Sequence, residues 1–317
     1  MILSSILIIV GFASLIFGAN WLVNGASGLA KKYNIPDLVI GLTVVAFGTS
    51  APELVVNSVA SVDRLSDIVL ANIIGSNNFN LFLILGIAGL VYPITVQSST
   101  AWREIPISLI ITILLFCLAN DFFIYPNSEI SRLDGVILLI SFLCFLYYIF
   151  KQMKTEVIEA VPYVQKSNIK IWSLIILGFS GLIIGGKLVV DNSIGIATEM
   201  GISQKIIGLT IIAAGTSLPE LITSLVAAFK KNSDIAIGNV IGSNIFNVLL
   251  ILGISSLINP IEYNQIFNQE FAILTGGTVF LIIAMFTGKK KKLDRWEAFI
   301  LLSFYLIYTT YLVSKEL

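Results

Sequence analysis

The chain contains no histidine and only two cysteines, Cys117 and Cys144. Zinc and copper sites call for histidine or cysteine ligands, and these two cysteines lie in apolar stretches without a metal-ligand spacing. No nucleophile and base pair of the kind used by hydrolases is present either. An enzyme is therefore the least favoured class, and no cofactor is expected.

Charge is scarce as well. Charged residues make up 12% of the chain, hydrophobic residues make up 56%, and the mean hydropathy is +0.94. This composition is typical of an integral membrane protein, whose main partner is the lipid bilayer. It indicates neither a nucleic acid nor an obligate protein partner.

A bilayer core of ~30 Å requires about 20 apolar residues per helix. Ten such stretches are present, at 4–29, 37–61, 67–92, 103–120, 132–150, 171–197, 204–229, 234–258, 270–287 and 295–313. We therefore predict an all-α polytopic membrane protein with ten transmembrane helices.

One long segment occurs twice. Residues 40–94 and 207–261 are identical at 31 of 55 positions, at a constant offset of 167 residues. Duplication of this kind builds one symmetric site from two halves. We expect a first five-helix repeat at 1–150, a cytoplasmic linker at 151–170 that is too short for a folded domain, and a second five-helix repeat at 171–317.

Positive charge predicts the orientation of these repeats. With the N-terminus outside, most lysines and arginines fall in cytoplasmic loops, among them Lys31, Lys32, Lys230, Lys231 and the run 289–292. Ten helices return the C-terminus to the outside, and five helices per half give the repeats inverted topology. A compact chain without a targeting segment is expected in the cell (inner) membrane.

Each repeat places a proline within an apolar helix, in GTSAPEL at 48–54 and GTSLPEL at 215–221. Proline lacks an amide proton, and its ring collides with the carbonyl four residues back, which belongs to Gly48 or Gly215. At membrane depth a freed carbonyl is tolerated only where protein, water or a ligand satisfies it.

The same segments carry a carboxylate beside hydroxyl groups. Thr49 and Ser50 precede Glu53 by four and three residues and share its helical face, and the second copy repeats this pattern with Thr216, Ser217 and Glu220. The result is an all-oxygen, anionic pocket, which suits a hard cation such as calcium. Neither motif contains a Lys or Arg within a helical turn, and an unpaired charge at this depth is costly. A bound cation is the simplest compensation, although a structural pairing or a retained proton is the alternative.

A second polar stripe follows each motif. It comprises Asn72, Ser76 and Asn80 in the first repeat and Asn239, Ser243 and Asn247 in the second, each on one helical face. We interpret Asn72 and Asn239 as residues that join helices, and Asn80 and Asn247 as ligands. Asn77, Asn78 and Asn244 lie near them but are not predicted to be ligands.

The paired GTSxPE and GSNxFN segments resemble the α-repeats of the cation/calcium exchanger superfamily, in particular its prokaryotic sodium/calcium exchangers. The resemblance covers nearly the whole chain and includes both motifs twice. It implies calcium extrusion driven by sodium entry through alternating access. Predicted helices 2, 3, 7 and 8 would form the ion sites, and helices 1 and 6 would slide as a gate.

The resemblance also implies a set of ligands. Calcium would bind Glu53 and Glu220, with oxygen from Thr49 and Thr216. Flanking sodium sites would draw on Ser50, Ser217, Ser76, Ser243 and the backbone carbonyls of Ala46 and Ala213, while Asn80 and Asn247 line the centre. Some prokaryotic members and the potassium-dependent branch carry Asp at the position of Asn247, so this core is left with two acidic groups.

Two other functions remain open. In a proton/calcium antiporter, protons would replace sodium on Glu53 and Glu220, since carboxylates buried in an apolar site can carry protons. The proton-coupled branch typically has GNxxE at this point, which favours sodium here. A passive cation channel is the second alternative, and the proline-broken inverted repeat argues against it.

Overall fold

The computed structural model describes residues 2–97, 100–121, 128–153, 167–200, 213–287 and 291–316, and these residues are largely helical. The first half contains α1 (Ile2–Tyr33), α2 (Asp37–Thr49), α3 (Ala51–Val62), α4 (Ser66–Val91), α5 (Trp102–Ala119) and α6 (Arg132–Met153). The second half contains α7 (Asn168–Glu199), α8 (Ala213–Thr216), α9 (Leu218–Phe229), α10 (Ser233–Ile258), α11 (Phe267–Thr287) and α12 (Arg295–Glu316).

Two short antiparallel ladders tie the halves together. Strand β1 (Ile94–Thr95) pairs with β4 (Lys292–Leu293), and β2 (Glu129–Ile130) pairs with β3 (Ile261–Glu262). Each ladder therefore takes one strand from each half, so backbone hydrogen bonds join the two halves at two places.

Burial separates inner helices from outer ones. Of the most apolar 18-residue segment of each helix, 94% is buried in α10, 72% in α4 and 22% in α1. The core therefore surrounds α4 and α10, the helices that carry the GSNxFN segments.

Helices α1 and α7 are counterparts at the offset of 167 residues, and they pack antiparallel. A Cβ built on Gly11 would lie 2.9 Å from the Gly185 carbonyl oxygen, and one on Gly18 would lie 2.9 Å from that of Gly178. Glycine is needed at these positions because the two backbones approach so closely. Each helix has 32 residues and a length of about 48 Å, which is more than a bilayer core of ~30 Å requires.

The same turn ends α3 and α9. Arg64 and Lys231, which are 167 residues apart, both have a φ of 58°. The next amide in each case donates to a carbonyl five residues back, from Leu65 to Ala60 at 2.8 Å and from Asn232 to Ala227 at 2.9 Å. This left-handed C-cap satisfies carbonyls that the end of the helix leaves free, and it turns the chain into α4 and α10.

The prediction of an all-helical polytopic membrane protein is confirmed. Seven helices within the described ranges are long and apolar enough to cross a membrane, or eight when α2 and α3 count as one bent span. Ten spans therefore stay a prediction. Residues 154–166 of the predicted linker and residues 204–212 of the seventh predicted helix lie outside the described part of the chain.

Candidate functional site

The proline-containing segments break their helices at the same point. The chain bends by 48° between α2 and α3, at Ser50, which has φ −83° and ψ 8°. Ser217, between α8 and α9, has φ −88° and ψ 7°. Pro52 and Pro219 stand in the first turn of the following helix, where a missing amide proton costs no hydrogen bond.

This break places both glutamates at helix N-termini. Glu53 lies in the first turn of α3 and Glu220 in the first turn of α9. The unpaired amides at a helix N-terminus favour negative charge, so each break supplies partial compensation for its carboxylate. The two side chains are 1% and 0% exposed.

Each carboxylate accepts a hydrogen bond from the opposite half. The hydroxyl of Ser50 donates to Glu220 Oε1 at 2.9 Å, and that of Ser217 donates to Glu53 Oε1 at 3.2 Å. The site therefore belongs to the interface between the repeats, and neither half can form it alone.

The serines of the central helices join the same cluster. Ser217 Oγ lies 3.1 Å from Ser76 Oγ, and Ser243 Oγ lies 3.5 Å from Glu220 Oε1. All four predicted serines thus stand within hydrogen-bond distance of a glutamate or of a serine that contacts one.

The two threonines make contacts across the halves as well. Thr49 Oγ1 is 3.0 Å from Asn239 Oδ1, and Thr216 Oγ1 is 3.2 Å from Asn72 Oδ1. Both threonines therefore join helices, as do Asn72 and Asn239. A hydroxyl that donates in this way keeps lone pairs for a cation.

The two predicted backbone ligands, Ala46 and Ala213, lie in α2 and α8. The Ala46 carbonyl accepts the amide of Ser50 at 3.0 Å and lies 3.3 Å from Thr49 Oγ1. Ala213 begins α8, and its side chain lies outside the described atoms.

Asn80 and Asn247 lie in the core, where each central helix widens into a π-helical turn, Phe79–Ile84 in α4 and Asn247–Leu252 in α10. Both side chains are 1% exposed. Asn80 follows Ser76 by four residues, as Asn247 follows Ser243, so each amide lies on the same helical face as a serine of the cluster. π-helical turns often occur at functional sites.

Four buried side-chain oxygens of the predicted ligands lack a hydrogen-bond donor among the described residues. They are Glu53 Oε2, Glu220 Oε2, Asn80 Oδ1 and Asn247 Oδ1, which are two equivalent pairs from the two halves. Within the same residues neither carboxylate forms an ion pair. A buried acceptor without a donor costs about 1–3 kcal/mol, and more when it is charged, so a cation would relieve this cost.

The donor set fits a hard cation. Four carboxylate oxygens and two amide oxygens make six, and calcium takes six to eight oxygen ligands. The carboxylates carry a formal charge of −2, which one divalent ion balances.

Sequence reasoning missed Asn57, whose Nδ2 donates to the Glu53 carbonyl at 2.7 Å. Its spacing of four residues from Glu53 was the available signal.

The two halves differ in how well their threonine contacts are buried. Thr49 and Asn239 are both 0% exposed, whereas Thr216 and Asn72 are only half-buried. Among the described residues, the contact of Thr49 with Asn239 is therefore the more enclosed of the two.

Comparison with known proteins gives consistent results. The sequence profile described as "Sodium/calcium exchanger protein" matches residues 3–151 and 170–314. "Putative antiporter CaxA" of Alkalimonas amylolytica is 34% identical, over 99% of this chain and 100% of that protein. "Sodium/calcium exchanger MaX1" of Methanosarcina acetivorans is 31% identical, over 96% of both chains.

The fold has solved counterparts. A structure of the sodium-calcium exchanger NCX_Mj, soaked with 10 mM Na+ and zero Ca2+, superposes with a TM-score of 0.85 at 32% identity, over 96% of this chain and 97% of that one. These relatives are transporters, in agreement with the prediction that the chain is not an enzyme.

Proposed function

The chain belongs to the sodium/calcium exchanger protein family, and on that premise we propose that it exports Ca2+ in exchange for Na+ at the site around Glu53 and Glu220. The observation that carries this proposal is the set of four buried oxygens, two from each half, that have no donor among the described residues. With the Oε1 atoms of the two glutamates they make six oxygens and a formal charge of −2, which suit calcium.

The remaining predicted ligands divide by chemistry. Glu53, Glu220, Asn80 and Asn247 supply carboxylate and amide oxygens for calcium, and Thr49 and Thr216 add hydroxyl oxygens. Ser50, Ser217, Ser76 and Ser243, together with the Ala46 and Ala213 carbonyls, supply sodium ligands. Sodium at the serines also binds the glutamate oxygens, which lie within hydrogen-bond distance of Ser50 and Ser217, so sodium and calcium compete for shared ligands. That competition couples the two fluxes.

Transport proceeds by alternating access in two inverted five-helix repeats, 1–150 and 171–317, joined by the linker 151–170. The antiparallel packing of the counterparts α1 and α7 supports this arrangement. So does the contact of Ser14 Oγ with the Gly181 carbonyl at 2.8 Å, between positions that the repeat makes equivalent. The unequal burial of Thr49 and Thr216 supports access from one side at a time.

We place the protein in the cell (inner) membrane, with both termini outside and ten spans. The support is the concentration of lysine and arginine in loops that this orientation puts in the cytoplasm. With this orientation, the Thr49 side of the site faces inwards and the Thr216 side faces outwards.

The test is radioactive calcium uptake into proteoliposomes preloaded with sodium, with the membrane potential clamped. Uptake should require internal sodium and proceed against a calcium gradient. Uptake driven by an acid-inside pH gradient without sodium would show that protons, and not sodium, are exchanged for calcium. Uptake that only ever runs down the calcium gradient would indicate a channel and contradict the proposal.

A further inference from the structure

Four buried asparagines from the two halves form a closed set of hydrogen bonds, which we call the asparagine interlock: Asn77, Asn80, Asn244 and Asn247. Asn77 Nδ2 donates to the Asn244 carbonyl at 3.2 Å, and Asn244 Nδ2 donates to the Asn77 carbonyl at 3.3 Å. These two bonds are reciprocal, because the residues are equivalent at the offset of 167.

The interlock continues to the candidate ligands. Asn247 Nδ2 donates to Asn77 Oδ1 at 2.9 Å, and Asn80 Nδ2 donates to Asn244 Oδ1 at 3.0 Å. Each candidate ligand is therefore held by an asparagine from the other half.

The direction of every amide in this set follows from the backbone. A backbone carbonyl can only accept a hydrogen bond, so the end of Asn77 that meets the Asn244 carbonyl must be its nitrogen. The oxygen of Asn77 then faces Asn247, which must present its own nitrogen in return. The amide oxygen of Asn247 is thereby left over, and it is one of the four buried oxygens without a donor.

We propose that Asn77 and Asn244 are positioning residues, each of which turns the amide oxygen of a ligand in the opposite half, Asn247 or Asn80, toward the transported cation. This inference rests on the proposed function and deepens it. A cation needs the oxygen end of an amide, and the two ends have nearly the same shape, so orientation has to be imposed by hydrogen bonding.

The interlock also limits the charge of the core. An ionised aspartate at position 247 would bring an oxygen without a proton to about the place where Asn247 Nδ2 now lies, 2.9 Å from Asn77 Oδ1. Two acceptors at that distance repel each other. Asn77 therefore opposes a third carboxylate at position 247 and keeps the site at two.

The competing explanation is that Asn77 matters only for packing. Asn78 is a matched control because it lies on the same helix, is 3% exposed, and directs its amide to Glu270 at 3.3 Å instead of to the interlock. Leucine has nearly the shape of asparagine, so Asn77→Leu and Asn78→Leu remove the same polar groups from similar surroundings.

The experiment measures the Kd for radioactive calcium on the purified full-length protein in detergent, together with Tm. Asn77→Leu and Asn244→Leu should each weaken calcium binding by about tenfold or more, which corresponds to about 1.4 kcal/mol. Asn78→Leu should change the Kd by less than about twofold. If Asn77→Leu fails to fold, Asn77→Ala takes its place.

A double-mutant cycle separates positioning from packing. If Asn77 acts through Asn247, then Asn77→Leu has little further effect on the Kd in an Asn247→Leu protein, whereas independent effects would multiply. An unchanged Kd in Asn77→Leu, or effects that multiply fully, would overturn the proposal. If the wild-type protein binds calcium but does not exchange it for sodium, only the proposed exchange is contradicted. The double-mutant cycle still tests the positioning role, because it measures the Kd for calcium.

Discussion

The two halves of the site carry the same motif, yet among the described residues only the Thr49 half, which we call the sealed side, packs closely against a neighbouring helix. Gly242, in α10, lies against α2, and a Cβ there would be 2.7 Å from Ala46 Cβ and 2.8 Å from the Leu42 carbonyl oxygen. Its counterpart Gly75, in α4, has no atom of the described residues within 4 Å of such a Cβ. The serine and threonine contacts of the motif are alike on both sides, so the first difference lies in how closely the described residues pack around these two glycines.

A second difference concerns the amides beside the glutamates. Asn239 Nδ2 donates to the Glu220 carbonyl at 3.3 Å and to Ser224 Oγ at 2.9 Å. Its counterpart Asn72 has no acceptor for its Nδ2 among the described residues, since Asn57 donates to the Glu53 carbonyl instead. The two arrangements differ because the residue four positions after the glutamate is Asn57 in one half and Ser224 in the other.

The largest effect is expected where the halves are most alike. Glu53→Gln and Glu220→Gln each remove half of the charge that balances calcium, and breaking a buried charge pair costs about 3–5 kcal/mol. Sodium-dependent calcium uptake should fall by about a hundredfold or more in both variants. Glu262→Gln, at an exposed position, is the control. Normal transport by either site variant would show that the halves do not share the ion.

Alanine at the two glycines tests the difference in packing. Gly242→Ala forces a methyl group against backbone, and overpacking of this kind costs about 1–3 kcal/mol, so Tm should fall. Gly75→Ala should leave Tm unchanged in the present arrangement. It should slow exchange if closure on that side brings a neighbouring helix as close to Gly75 as α2 lies to Gly242.

The outcome for Gly75→Ala decides the comparison. An exchange rate equal to that of the wild type would mean that the Thr216 side closes without copying the Thr49 side. A fall in Tm as large as that of Gly242→Ala would mean that both sides are already sealed.

Asn57 and Ser224 are counterparts, and replacing each by the residue of the other half should change Tm slightly and in opposite directions. Asn57 Oδ1 and Asn72 Nδ2 are both buried without partners among the described residues, and each such group costs about 1–3 kcal/mol. Asn57→Ser frees the Glu53 carbonyl for Asn72, so Tm should hold or rise. Ser224→Asn crowds a fully buried position, so Tm should fall. A fall in both variants would show that Asn57 is held by packing alone.

Much of this site could be predicted because the signals are local and repeated. Pro52 and Pro219 mark the helix breaks, and the spacing from Ser50 to Glu53 places hydroxyl and carboxylate together. The offset of 167 indicates that each feature has a partner. The assignment of individual ligands stays a prediction.

The rest depends on contacts between halves, which spacing along one helix cannot show. Nothing in the sequence indicates that Ser50 donates to Glu220 and not to Glu53, or that Asn77 holds Asn247. The sequence does not predict the unequal packing of Gly75 and Gly242 either, because the two residues occupy identical GSN segments. Such differences arise from the arrangement of whole helices, so a repeat in the sequence predicts the contacts that the halves share and not those in which they differ.

The smallest effect is expected at the rim of the site. Lys230 Nζ donates to Asn24 Oδ1 at 2.9 Å and to the Asn20 carbonyl at 3.2 Å, which links α9 to α1 on the sealed side. At the offset of 167, the counterparts of Lys230, Asn20 and Asn24 are Asp63, Lys187 and Asp191.

If the other side closes in the same way, Asp63 comes to the part of α7 that carries Lys187 and Asp191. Because the like charge of Asp191 repels it, we expect Asp63 to pair with the Lys187 ammonium, an ion pair that the described residues do not have now. Lys187→Met should then slow exchange by about two- to fivefold, because an exposed ion pair contributes only about 0–1 kcal/mol. The effect should disappear at high salt, which screens exposed charges. Lys231→Met, at an exposed position on the sealed side, is the control. A loss of exchange that persists at high salt would assign Lys187 to packing within α7, and the symmetry of the two rims would then fail at this point.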